Sequence, residues 1–213
     1  MCFSARLSIL SFIVGIVSSA ILIKFGEEKY TQQNKALGYF FMFVSCMQLI
    51  EFFLWIDQKQ PSIINNISSI LGPIFNNLQP IVALLIGKYF IEKDNINPIH
   101  SYIIYVVSIL YVIYVIYKFV EYVKLKDIYT TTNKEKHLDW KWKNYFEYKY
   151  YYITMLIIFS RYYDNKYIWI STIISFVILF FSVFKFNKNI GELWCFMVTG
   201  VPLMLFVIQK LIK

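Results

Sequence analysis

Charge is scarce in this chain: only 16% of its 213 residues are Asp, Glu, Lys or Arg, against about 25% in a typical soluble domain. Hydrophobic residues make up 58%, more than a soluble fold of this size can keep out of water. Soluble domains are therefore excluded, and so is disorder. Three cysteines, Cys2, Cys46 and Cys195, stand far apart and form no CxxC pair. That removes a zinc knuckle, a thioredoxin-like motif and a disulfide scaffold. Two histidines, His100 and His137, are too few for a histidine-rich catalytic zinc site. No metal and no cofactor is expected. Residue 2 is Cys and not Gly, and no CaaX box is present, so no lipid anchor is expected.

What the chain has in abundance is apolar and aromatic residues, with 20 Phe, 18 Tyr and 5 Trp. A hydrocarbon core of about 30 Å needs about 20 apolar residues per helix. Seven segments approach that length: 7–23, 36–56, 63–90, 99–123, 148–163, 167–186 and 190–212. The reading is an all-α, polytopic membrane helix bundle forming a single domain over 1–213. The spans lack the strict alternation of a β-barrel. The first segment is longer than the apolar part of a signal peptide, so it is read as a retained helix. The fifth is short for a full crossing. Seven crossings place the termini on opposite sides. A small excess of Lys and Arg at span ends predicts a cytoplasmic N-terminus. The sequon Asn66-Ile67-Ser68 falls at a predicted helix start and is expected to be unused.

The net charge of +8 suits anionic headgroups near helix ends better than it suits nucleic acid. The long connection 124–147 interleaves Lys with aromatics, as in Trp140-Lys141-Trp142-Lys143. It is expected at the interface, with rings at headgroup depth and lysines snorkelling. Nucleic acid is not an expected partner. The lipid bilayer, a small solute, ion or proton, and a second copy of the chain are.

Ionisable groups inside a span are costly, so each is a functional candidate. Glu51 lies about five residues inside the second segment. Ser45, Gln48, Glu51 and Trp55 recur at helical spacing on one face. Topology brings further groups to that end: Ser4 and Arg6 of the first segment, Glu192, Trp194 and Cys195 of the seventh, and Cys2. The third segment is interrupted by Gly72-Pro73 and Gln79-Pro80, and its Asn76, Asn77 and Gln79 are expected to reach toward the same place. A second break is expected at Gly200-Val201-Pro202. The candidate site is therefore a ligand or ion pocket centred on Glu51, with Arg6 as its nearest cation.

These residues carry a resemblance. The start Met1-Cys2-Phe3-Ser4-Ala5 resembles uncharacterised multi-pass proteins of bacteria and large DNA viruses that begin MCFSA or MCWS. Their second helix carries Gln-x-x-Glu-x-x-x-Trp, here Gln48, Glu51 and Trp55. The viral members show Gly-x-x-Trp-Cys-Phe, here Gly191 to Phe196. The bacterial members commonly place Gly after the Glu, where this chain has Phe52. The resemblance implies a seven-helix membrane protein, plausibly viral, and no established activity.

Four functions compete on this reading. A small-solute or ion pathway uses Glu51 and the interrupted helices. A ligand-binding, receptor-like protein needs a pocket open to one side. A retinal protein is excluded, because Lys210 and Lys213 lie at the end of the last segment. An intramembrane enzyme would draw on Cys2, Cys195, Glu51 and Glu192, and no histidine is well placed as its base. A structural component of an envelope or inner membrane would have a packed interior.

Overall fold

The computed structural model describes residues 4–58, 62–91, 98–125, 128–132, 138–162, 173, 177 and 198–211. Six α-helices are described: α1 (Ala5–Phe25), α2 (Thr31–Ile56), α3 (Ile63–Phe90), α4 (Pro98–Val123), α5 (Tyr148–Tyr162) and α6 (Val201–Leu211). A two-stranded antiparallel pair, β1 (Thr131–Thr132) with β2 (Leu138–Asp139), and a 3-10 turn at Lys141–Asn144 lie between α4 and α5. The fold is all-α, and α1 to α4 are long and apolar enough to cross a membrane. Apart from Ile173 and Val177, the expected crossing at 167–186 and the first part of 190–212 lie outside the described residues.

Helix ends follow local chemistry. Ser4 caps α1, its hydroxyl accepting from the Leu7 N–H at 3.2 Å. Ser62 does the same for α3 through the Ile64 N–H. Lys24 and Lys88 stand in the last turns of α1 and α3, where the helix dipole favours cations. The second expected break is a turn: Thr199-Gly200 ends one helical stretch, and α6 opens with Val201-Pro202. Proline is tolerated there because a first-turn N–H has no helical acceptor anyway.

The α1–α2 pair packs through absent side chains. The buried face of α1 is Ser8, Ser11, Gly15, Ser18, Ser19 and Leu22. A Cβ on Gly15 would stand 2.0 Å from Ser45 Oγ, and one on Gly38 would stand 2.3 Å from Ile23 Cγ1. Such stripes let backbones approach closely in lipid, where no hydrophobic force draws helices together. α6 packs against α1 and α2, with Val201 and Leu205 joining Leu22, Leu37 and Val44 in one core. Its far end is latched by polar groups. Gln209 donates to Asn34 Oδ1 at 2.8 Å and accepts from the Glu27 N–H at 3.0 Å.

α3 corrects an expectation. It runs unbroken from Ile63 to Phe90 with Pro73 and Pro80 inside it. Pro73 cannot donate to the Ser69 carbonyl one turn back. The Tyr122 hydroxyl of α4 donates to that carbonyl instead, at 3.0 Å. Near Pro80, the Tyr111 hydroxyl donates to the Asn77 carbonyl at 3.1 Å, and the Tyr151 hydroxyl of α5 donates to Gln79 Oε1. Tyr122 thus serves the carbonyl that Pro73 strands, the helix is whole, and no unwound stretch is left to form a cradle.

The connection 124–147 packs its tryptophans inward. It was expected at the interface, yet Trp140 and Trp142 are only 3% and 1% exposed. They stack on each other and join Met47, Ile50, Leu54, Tyr122, Leu138 and Phe146 in a second core. A Cβ on Gly72 would come to 3.3 Å from Trp142 Nε1, so glycine makes the space for the indole. Irregular backbone is tolerated at membrane depth where it is buried in protein. Thr130 meets that condition: its N–H donates to Asn65 Oδ1 and Ser69 Oγ, both at 3.1 Å. Its carbonyl accepts from Asn65 Nδ2 at 2.8 Å. α5 begins well down the length of α3, where Tyr151 of its first turn meets Gln79.

Candidate functional site

Glu51 is 1% exposed, and Gln48 Nε2 donates to its Oε2 at 2.9 Å. The spacing of three puts both side chains on one face of α2. Antiparallel register locates their neighbours. Gly15 lies against Ser45, and Gly38 against Ser19 and Ile23. Carried along the pair, this puts Ser11 about level with Leu49 and Ser8 about level with Phe52. Two buried serines of α1, 4% and 2% exposed, therefore stand at the height of Gln48 and Glu51. The Ser11 hydroxyl is itself bonded to the Leu7 carbonyl at 2.8 Å.

The α2–α3 register follows from the stacked Phe43 and Phe75 rings, 5.2 Å apart, and from Asn65 N–H donating to Asp57 Oδ2 at 3.1 Å. Glu51 then stands about level with Ser69. Asn76, Asn77 and Gln79 are all buried, but they lie about 10–15 Å further along. They form a separate tier. Asn77 bonds back to the Pro73 carbonyl at 2.8 Å, and Gln79 accepts from Tyr151. The expectation that these amides reach Glu51 is corrected by this register. The groups at the right height on α3 are Ser68, Ser69 and Gly72, with Trp142 behind them.

Arg6 is exposed and forms no ion pair among the described residues, so its expected pairing with Glu51 is not made there. The physical reason is angular: Ser4 caps the helix, and Arg6 leaves α1 on the side away from the buried face of Ser8 and Ser11. Ser4 itself is committed to the cap. Trp55 is half-buried one turn from Glu51, and its indole N–H has no hydrogen-bond partner among the described residues. Cys2, Glu192, Trp194 and Cys195 lie outside the described residues. Cys46 is half-buried, with its Sγ 3.5 Å from the Met42 carbonyl. Among the described residues, no three His, Cys, Asp or Glu side chains gather to hold a metal.

The functional neighbourhood therefore comprises Glu51 and Gln48, small hydroxyls of α1 and α3, and the inserted Trp140–Trp142 element. The serines were legible as small residues only. Their height beside Glu51 depends on packing register, which one sequence does not carry. The inserted element left one signal: Gly72, a gap on α3 opposite the Trp142 indole. No known family model, curated protein or solved structure matches the chain.

Proposed function

We propose that the protein is a small-solute or ion pathway of the membrane, with Glu51 as the group that exchanges a proton or holds a cation. One observation carries the reading: a carboxylate 1% exposed, held by the Gln48 amide in the interior of an apolar bundle. Burying such a group costs several kcal/mol unless a proton, a cation or donors neutralise it. The proposal includes seven crossings, a cytoplasmic N-terminus and kinship with the MCFSA/MCWS proteins of bacteria and large DNA viruses. The bilayer, the transported ion or solute, and a second copy of the chain are the partners it expects.

A structural role in a viral envelope or cellular membrane is the second reading. It is favoured by the contact of α1 and α2 at Gly15 and Gly38, which leaves no room for even a methyl group. Reconstitution separates the two. Liposomes holding the purified protein should dissipate a pH or cation gradient, and Glu51→Gln should slow this at least tenfold while inserting normally. Flux that is absent, or that is unchanged in Glu51→Gln, rejects the pathway.

A further inference from the structure

We propose that residues 128–132 and 138–149 form the floor of an aqueous vestibule that enters the membrane from the side on which α1 begins, and that this floor is the barrier between that water and Glu51. The second half of the inference rests on the reading of Glu51 given above. Depth comes first. Thr130 meets Asn65 and Ser69, and Trp142 meets Gly72. The Glu147 N–H donates to the Tyr114 hydroxyl of α4 at 2.7 Å. Tyr111, three residues away on α4, bonds Asn77 of α3. The segment thus descends to about the level of residues 74–76, about 15–20 Å below the first residue of α3.

Irregular backbone at that depth must be buried in protein or lie along water. This segment does both, one on each face. Its inner face is the buried Trp140–Trp142 stack, against Met47, Ile50 and Leu54 on the turns of α2 that carry Glu51. Its outer face is charged. Lys143 pairs with Asp139 at 2.7 Å, Lys141 approaches the same carboxylate at 3.9 Å, and Lys149 pairs with Glu147. These five side chains are 26% to 61% exposed. Lys118 and Glu121, paired at 2.7 Å, continue the charge on α4. Hydrocarbon does not accept so many ionised groups on one surface, so water reaches them. At 128–130 the floor is held by few and polar contacts, to Asn65, Ser69 and Tyr122, while Leu138, Trp140, Trp142 and Phe146 hold its other part in the apolar core. The 128–130 edge can be loosened without dismantling the helices.

Thiol accessibility tests both halves. Cys2, Cys46 and Cys195 are replaced by Ser, and single cysteines are placed by Lys149→Cys, Ile153→Cys and Gln48→Cys. The protein in liposomes is treated with a charged, membrane-impermeant thiosulfonate reagent. Lys149→Cys should react at least 100-fold faster than Ile153→Cys, which lies one turn on and is 54% exposed along the same helix. Gln48→Cys should react at least tenfold faster once Asn65→Ala is added. Equal rates at 149 and 153 overturn the vestibule. A rate at 48 that Asn65→Ala leaves unchanged overturns the barrier. If Asn65→Ala does not fold, Thr130→Val, which removes only the hydroxyl bonded to Ser69, replaces it under the same criterion. Parallel flux assays keep the ideas apart. The expected labelling without Glu51-dependent flux supports the vestibule and rejects the pathway, whereas such flux with position 149 unreactive rejects the vestibule alone.

Discussion

The two halves of the bundle solve the problem of adhesion in lipid differently. α1 and α2 meet backbone to backbone, because Gly15, Gly38 and a line of serines remove what would hold them apart. α3 and α4 meet through long side chains, with tyrosine hydroxyls reaching across to carbonyls of α3, and Tyr151 of α5 reaches an amide of α3, although Gly87 also brings α3 close to Tyr162 of α5. The first solution gains dispersion over a large area and tolerates no added atom. The second tolerates distance, because a tyrosine bridges a gap that backbones leave open. It also lets α3 keep Pro73, since the acceptor that this proline strands is served from outside the helix. The inserted element, residues 128–132 and 138–147, belongs with the second half. It fills the space that tyrosine-spaced helices leave, and Gly72 fits it there.

The comparison breaks most visibly at Trp142. Trp142→Ala should cost about 3–5 kcal/mol in reversible unfolding from mixed micelles, as for a fully buried aromatic. A cost under about 0.5 kcal/mol would return the ring to the interface. Next comes Gly15→Ala, expected to cost about 1–3 kcal/mol through its contact with Ser45. Ser45→Gly should recover most of that loss in the double variant, and its failure to do so would mean that the two helices yield elsewhere.

A smaller effect is expected at Tyr122→Phe, about 1–2 kcal/mol, from the Ser69 and Ile128 carbonyls it leaves. Pro73→Ala supplies a backbone N–H for Ser69 and should reduce that cost by about half. Strict additivity of the two substitutions would reject the account of the proline. The smallest effect is expected at Lys210→Ala. Its ion pair with Glu27 at 2.7 Å is partly exposed, so thermal unfolding should register less than about 1 kcal/mol.

Much of the architecture was legible from apolar length alone. The boundaries of α1 to α4 fall close to the apolar segments, because bilayer thickness and helical rise fix that relation. Glu51 with Gln48 was legible for the same kind of reason: a spacing of three is local geometry. What depended on how helices slide past one another was not. Asn76 and Glu51 differ in height by about two turns, and nothing in either segment states that offset. The direction of Arg6 was not legible, since a cation at a helix start has water as an alternative to a partner. The tryptophans at 140 and 142 have the composition of an interfacial belt. Only the glycine opposite and the polar anchors at Asn65 and Ser69 distinguish a belt from a buried insertion, and those lie some 70 residues earlier in the chain.

The latch at the far end bears on how the molecule is made. Asn34 is 1% exposed and lies in the first turns of α2, yet its side-chain carbonyl takes its hydrogen bond from Gln209. The Ser18 hydroxyl likewise donates to the Thr199 carbonyl. A ribosome delivers the α1–α2 hairpin long before residues 198–211 emerge. Until then the pair of helices keeps the Asn34 side-chain oxygen unserved by Gln209 and its seam open. Assembly therefore cannot finish in the order of synthesis, and the earliest helices wait, exposed to quality control, for the last one to close over them.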